Sequence, residues 1–308
     1  MRDFEQIEWN EALADDCRQL VRLAVREDLG RGQDLTTVAL VPADAQGRAD
    51  IATRRSGIIV GLKAAEIVIQ EIDSRLRLRG CATEGTAVQQ GTVVATVTGP
   101  ARSMLTAERT ILNFVGHLSG VATLTSRYVE LVQGTKARIY DTRKTTPGWR
   151  RLEKYAVRCG GGHNHRTGLF DAVLIKDNHL AFGAQQHGRS RYTPKDAIKR
   201  AREFLAQLPA EVTAGGAIVE VEVDSIDQLR EVLTIGPDIV LLDNMKPHQL
   251  EACVALRDEL AADVELEASG GVSLETIRPI AEAGVDRISV GALTHSAMWF
   301  DVGLDWKT

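Results

Sequence analysis

The stretch "AIVEVEVDS", residues 217–225, alternates strictly: Val219, Val221 and Val223 share one face of an extended strand, and Glu220, Glu222 and Asp224 share the other. "VELEAS", residues 264–269, repeats the pattern with Glu265, Glu267 and Ser269. In a curled sheet the second face points into the lumen or toward covering helices. Carboxylates left unpaired in either place are costly, so they call for cationic partners or a bound cation. Glu220, Glu265 and Glu267 therefore read either as a charge-satisfied interior or as part of a site. Glu222 and Asp243 lie nearer the carboxyl ends of their strands and read more strongly as site residues.

Working outward, four more apolar runs accompany these two: "ARIYDTRK" (137–144), "AVLIKDN" (172–178), "DIVLLDN" (238–244) and "GVDRISVG" (284–291). Four of the five spacings between runs are about 20 to 35 residues, the length of a β-α unit, and the remaining one is longer. A parallel sheet follows. Each run ends in polar groups: Arg143 and Lys144, Lys176 and Asn178, Glu222 and Asp224, Asp243 and Asn244, Ser269 and Gly270, Ser289 and Gly291. In α/β barrels the site lies at the carboxyl ends of the strands, so these six ends point to one mouth. "ASGGV" and "ISVGA" end the last two strands, where glycine loops before a helix commonly hold a phosphate through backbone N–H groups.

Before the first of these strands the pattern differs. Leu13, Cys17, Leu20, Val21, Ala24 and Val25 recur at helical spacing between Asn10, a cap, and Gly30, a stop. Residues 48–100 carry short β-branched runs ("IIVG", "TVVATVTG") and suggest a small antiparallel or mixed sheet. A long apolar helix over 106–133 joins two domains, and Gly116 and Gly120 within it mark close packing. Between the first two barrel strands, Thr146 and Pro147 open a helix that Gly160 stops. Arg150, Arg151, Lys154 and Arg158 read as its solvated face.

The 308 residues, 44% of them hydrophobic, suffice for a sizeable core. A net charge of -5 opposes general nucleic-acid binding, so any cationic site is local. It is local: Lys136 to Arg166 holds nine Lys or Arg against one Asp and one Glu. Cys17, Cys81, Cys159 and Cys253 have no CxxC spacing, which fits a reduced cytoplasmic compartment and neither a zinc site nor a disulfide framework. An acidic start without an apolar h-region, and no run long enough to span a bilayer, argue against a leader or membrane segment. Two readings of other classes stay open: His163 and His165 as metal ligands, and the basic 136–166 segment as a nucleic-acid patch.

The 39-residue run "DTRKTTPGWRRLEKYAVRCGGGHNHRTGLFDAVLIKDNH" (141–179) resembles the signature of the quinolinate phosphoribosyltransferases, a type II phosphoribosyltransferase family. The resemblance extends to "DLTT" (34–37), "AERTILNF" (107–114), "HLSGVAT" (117–123), "EVEVD", "LLDN", "ASGGV" and "SVGALTHS", and so covers nearly the whole chain. Trp149 stands where the family has a smaller aliphatic residue, and residues 183–216, with "AQQHGRSRY" and "AEVTAGGA", form a longer connection than usual. The resemblance implies an open or incomplete parallel α/β barrel at 111–294. It also implies a smaller N-terminal α+β sandwich at 1–110, with 295–308 packed on it.

The resemblance further implies transfer of phosphoribose from phosphoribosyl pyrophosphate to quinolinate with decarboxylation; a related enzyme for another pyridine or azole acid is the alternative. Arg109, Arg143 and Arg166 would bind the two carboxylates, with His165 and Lys176 adding positive charge, and Arg109 would come from the second subunit of a dimer. Glu222 and Asp243 would stabilise the ribosyl cation and sit near magnesium carried by the pyrophosphate, with no tightly held metal. Lys144 and Lys176 would hold the leaving pyrophosphate. Ser269, Gly270, Gly271 and Gly291 would cradle the 5'-phosphate, with Thr142, Val290 and Ala292 beside the ligands.

Overall fold

The computed structural model describes residues 3–186, 192–209 and 217–307. The 183–216 insertion lies partly outside the described residues, at 187–191 and 210–216. Two units divide the chain. One comprises Met1–Gln6, Tyr128–Arg143 and His163–Ala292; the other comprises Ile7–Arg127, Lys144–Gly162 and Leu293–Thr308. The sequence places boundaries at 110/111 and 294/295; backbone proximity groups residues 111–127 and 144–162 with the N-terminal unit and the first six residues with the barrel strands.

In the N-terminal unit, β1 (Gln46–Thr53), β2 (Gly57–Ile58), β3 (Arg77–Gly80), β4 (Ala87–Val88) and β5 (Val93–Pro100) come first in chain order, and β12 (Val302–Trp306) comes last. They form an antiparallel sheet of order β12-β1-β5-β3 and a separate β2-β4 pair. The first helix is Glu11–Leu29: the Asn10 side chain accepts from the Leu13 N–H at 2.9 Å, Gly30 ends it at φ 56°, and Leu13, Cys17 and Val21 are buried. The helix Leu62–Ile72 was not foreseen, because its run Ile67, Val68, Ile69 is β-branched. Burial of Ala64, Ala65 and Val68 together with capping overrides that propensity: Glu84 accepts the Gly61 and Lys63 N–H groups at 2.8 and 3.0 Å.

The long helix runs Ala101–Leu131, five residues earlier than the periodicity suggested. A side chain at Gly116 or Gly120 would collide with the Phe300 or Met298 carbonyl, which is the close packing expected of the pair. The basic helix is shorter than read, Arg150–Cys159. Pro147 and Gly148 make a turn instead, closed by the Trp149 N–H on the Thr146 carbonyl at 3.0 Å, and Gly148 at φ 84° cannot be helical. Nor does this helix present a solvated basic face. Lys154 is fully buried, Arg151 pairs with Asp16 at 2.6 Å, and Arg150 and Arg158 are only partly exposed. Trp149 stacks on Phe114 with ring centroids 4.6 Å apart, which uses the larger side chain.

The second unit is a six-stranded parallel sheet of β6 (Arg138–Tyr140), β7 (Ala172–Ile175), β8 (Ile218–Val223), β9 (Ile239–Asp243), β10 (Glu265–Ser269) and β11 (Arg287–Ser289). Its order is β6-β11-β10-β9-β8-β7, so β6 and β7 are the two edges and the barrel is open between them. All six runs expected to be barrel strands are strands, and the alternation holds: Val219, Val221 and Val223 are buried on one face and Glu220 is fully buried on the other. No helix among the described residues is long and apolar enough to cross a membrane.

Candidate active site

The segment after the triple glycine is laid along the free edge of β6. The His163 N–H donates to the Ile139 carbonyl at 2.8 Å, and the Asp141 N–H donates to the His163 carbonyl at 3.0 Å. Asp141, fully buried, then accepts from the His165 N–H at 2.9 Å and from Asn164 Nδ2 at 2.7 Å. Two of the glycines are required by packing: a Cβ at Gly160 would strike the Ala122 carbonyl, and one at Gly162 would lie 2.8 Å from Thr125 and Val157.

Inside the sheet, His165 meets the buried carboxylates. Its Nε2 lies 3.0 Å from Glu220 Oε2 and 3.6 Å from Glu267 Oε1, although neither carboxylate achieves hydrogen-bond alignment. His165 Nδ1 accepts the Arg166 N–H at 2.8 Å. With Nδ1 accepting, the hydrogen-bond geometry assigns a proton to Nε2, the nitrogen that faces the two carboxylates. His165, Glu220 and Glu267 place ligand atoms within 4.8 Å of one another. His163 is not part of this group. Burial first, and then the neighbouring Glu220 charge, push the Glu267 carboxyl above the usual carboxylate range.

Toward the carboxyl ends of the strands, Lys176 Nζ pairs with Glu222 Oε2 across neighbouring strands β7 and β8. Asp243 is level with Ser269 on β9 and β10, so Glu222, Asp243 and Ser269 occupy the same end of three consecutive strands. Asn244, at φ 53°, donates its N–H to the Ser269 carbonyl and its Nδ2 to Asp243 Oδ2, each at 2.8 Å. Gly270, at φ 98°, has no room for a side chain against Asn244, whereas Gly271, at φ 60°, faces open space. The helix after this loop begins only at Ile277 and has six residues, and the one after β11 is Ala292–His295. A helix thus starts directly after Gly291, as expected, but not directly after Gly271, where two left-handed glycines open the loop. The Val290 N–H is taken by the Tyr140 carbonyl at 2.9 Å, which leaves the exposed part of that loop to Gly291 and Ala292.

Arg166 is 7% exposed and donates from Nη1 to the Ala172 carbonyl at 3.3 Å. Burial and the adjacent Arg143 charge lower its proton affinity, against the pull of Glu220 and Asp171. Thr142 and Arg143, both half-buried, follow Asp141 directly. Arg109 and Lys144, both exposed, belong to the N-terminal unit; the Lys144 carbonyl accepts the Thr294 hydroxyl at 2.7 Å. The basic 136–166 segment is no free cationic patch: Lys136 pairs with Asp286 at 2.9 Å, and Arg138 pairs with Glu265 at 2.7 Å and with Asp3 at 3.2 Å. Sequence reasoning missed Asp141 and Asn164 as positioning groups, though both lie inside the quoted signature. It also missed Asp3, Phe4 and Gln6, for which only the apolar Phe4 beside Ile7 gave a signal.

Residues 34–119 match the family profile described as the N-terminal domain of quinolinate phosphoribosyl transferase, and residues 121–305 match that of its C-terminal domain. The chain is 44% identical over 293 residues to a nicotinate-nucleotide pyrophosphorylase [carboxylating] of Mycobacterium leprae, covering 94% of this chain and 97% of the relative. It is 36% identical over 279 residues to a probable enzyme of the same name from Bacillus subtilis, covering 91% and 89%. The solved nicotinate-nucleotide pyrophosphorylase of Francisella tularensis superposes with a TM-score of 0.87 at 36% identity over 99% of this chain and 100% of that one. With both profiles spanning its two units, and with the basic loop and carboxylate strand ends set around one sheet, the chain belongs to the quinolinate phosphoribosyltransferase family.

Proposed function

We propose that the chain transfers a phosphoribosyl group from phosphoribosyl pyrophosphate to the ring nitrogen of quinolinate and releases the 2-carboxylate, forming nicotinate mononucleotide, pyrophosphate and carbon dioxide for NAD biosynthesis. The observation that carries this reading is the buried Arg166 guanidinium held beside Arg143. Two like charges crowded in a desolvated place favour a ligand with two anionic groups close together, and guanidinium forks bind carboxylates bidentately. Quinolinate, with adjacent carboxylates, meets that demand better than a monocarboxylate.

In this reading the ring nitrogen attacks C1' as the bond to the pyrophosphate oxygen breaks. Glu222, oriented by Lys176, and Asp243 stabilise the positive charge that develops on the ribose. Lys176 and Lys144 hold the departing pyrophosphate, and Ser269, Gly270, Gly271, Gly291 and Ala292 surround the 5'-phosphate. The cationic ring nitrogen then stabilises the carbanion left at C2 as carbon dioxide departs, and that electron pair takes a proton from solvent. The hard oxygen donors of Glu222 and Asp243 suit magnesium arriving with the pyrophosphate, where it would neutralise phosphate charge. Arg109, exposed on the long helix, completes the dicarboxylate pocket from the second subunit of a homodimer. The four unpaired cysteines support a reducing, cytoplasmic setting.

The test is a product assay with purified protein, quinolinate, phosphoribosyl pyrophosphate and magnesium. Nicotinate mononucleotide and carbon dioxide should appear in equal amounts. Turnover of nicotinate in place of quinolinate, without carbon dioxide, would replace this substrate with another pyridine acid.

A further inference from the structure

We propose that residues 3–6 form an intramolecular strap that positions the dicarboxylate-binding loop, with Phe4 and Gln6 as positioning residues; the role in substrate binding rests on the reading above. Phe4 is 6% exposed and clusters with Tyr140, Ala172, Ile218 and Ile239. Ala172, Ile218 and Ile239 are the first residues of β7, β8 and β9, so Phe4 fills the amino-terminal end of the sheet's interior. Its ring stacks on His165 with centroids 4.3 Å apart and planes 28° from parallel.

Anchors of different chemistry flank that ring. Asp3 bonds Arg287 Nη1 at 3.0 Å, the Tyr140 hydroxyl at 2.9 Å and Arg138 Nη1 at 3.2 Å. Gln6 grips Asn164 at two points, donating from Nε2 to its carbonyl at 3.1 Å and accepting its N–H on Oε1 at 2.9 Å. The strap therefore touches two successive residues of the "HNHR" loop, one through a ring face and the other through the backbone.

The path to substrate is short. The His165 ring accepts the Arg166 N–H on Nδ1, and Arg166 carries the guanidinium assigned to a carboxylate. A ring free to tilt loses its hold on that N–H, and displacements of about 1 Å in a binding group cost up to about a hundredfold in rate. A plug that served only stability would touch the strands and leave the loop alone. This one spends its amide pair and its ring face on the loop.

The experiment compares wild type with Phe4→Leu, which keeps apolar volume without a ring face, and with Gln6→Ala, at a half-buried position outside the core cluster. Hydrogen exchange is followed at the His165 and Arg166 amides of the unliganded protein, and steady-state kinetics are measured with each substrate. Both variants should exchange these amides roughly tenfold faster, with β9 unchanged, and raise KM for quinolinate roughly tenfold while KM for phosphoribosyl pyrophosphate stays within about twofold. Phe4→Tyr, which retains the ring, should restore slow exchange. Unchanged exchange at the two amides overturns the strap whatever the substrate is. Faster exchange with both KM values rising together, or neither, overturns its role in dicarboxylate positioning. A wild-type protein that fails to turn over quinolinate sinks the functional reading alone, because the exchange arm still decides the strap.

Discussion

The amino-terminal ends of the parallel strands and the region around Arg143 and Arg166 handle charge in opposite ways. At the amino-terminal end, Arg138, Arg287 and Glu265 are the opening residues of β6, β11 and β10, and Asp3 joins them. Two acids meet two guanidiniums, with Arg138 at 2.7 Å from Glu265 and Arg287 at 3.0 Å from Asp3. Around Arg166, burial and the charge of a second arginine, Arg143, lower its proton affinity against the pull of Glu220 and Asp171. A matched network around buried Arg287 and Glu265 holds strands together, and a buried guanidinium acted on by a second arginine charge marks a place for an anion. Arg287 and Arg166 are both buried, so exposure alone does not separate the structural cluster from the binding one.

The sharpest way to break this contrast is Arg287→Ala. Removing a fully buried guanidinium leaves Glu265 and Asp3 with Arg138 as their remaining cation, and the loss of stability should be about 3–5 kcal/mol in urea unfolding at neutral pH. A loss below about 1 kcal/mol would mean that the network does not hold the strands together. Arg166→Ala should behave in the opposite manner. We expect kcat/KM for quinolinate to fall by about a hundredfold or more, with the unfolding midpoint unchanged or higher, because a desolvated cation beside Arg143 has been removed. If the variant loses stability and keeps its kinetics, Arg166 belongs with the structural cluster.

A third test asks whether the binding region is completed by another copy of the chain. Arg109→Ala and Lys176→Ala proteins, each inactive, should regain about a quarter of wild-type activity when unfolded together and refolded as random dimers. Silence of the mixture places Arg109 in the same subunit's site or outside it.

The smallest effect concerns the layer between the two regions. Burial and the Glu220 charge raise the Glu267 carboxyl above its unfolded value, so the native chain keeps a proton that the unfolded chain releases. That contribution is complete below the unfolded carboxylate range and is lost as pH climbs through the raised value. Wild type should therefore lose stability between about pH 5 and pH 8, and Glu267→Gln should flatten that slope. Equal slopes for the two proteins would show that Glu267 is ionised throughout.

Much of the sheet could be read before any coordinates. Alternation in "IVEVEV" placed Glu220 inside and the valines opposite, because side-chain direction along a strand depends only on parity. The strand ends at Arg143, Lys176, Glu222, Asp243 and Ser269 followed from the same local pattern, and the dicarboxylate role of Arg109, Arg143 and Arg166 from resemblance to a family. Local pattern failed where packing decided the outcome. The helix Leu62–Ile72 forms from residues with strand propensity because Glu84 caps it and its alanines are buried, and Lys154, at a position that looks solvated, is fully enclosed.

By itself the sequence determined which residues line the interior of the sheet and which strand ends carry charge, since both depend on neighbours a few residues away. Only the tertiary structure decided who meets whom. Gln6 and Asn164 are 158 residues apart and Asp3 and Arg287 are 284 apart, separations over which no periodicity carries information. The setting of the His165 ring was decided in the same way. Its Nδ1 meets one backbone N–H, that of Arg166, and that contact exists only once the loop has folded.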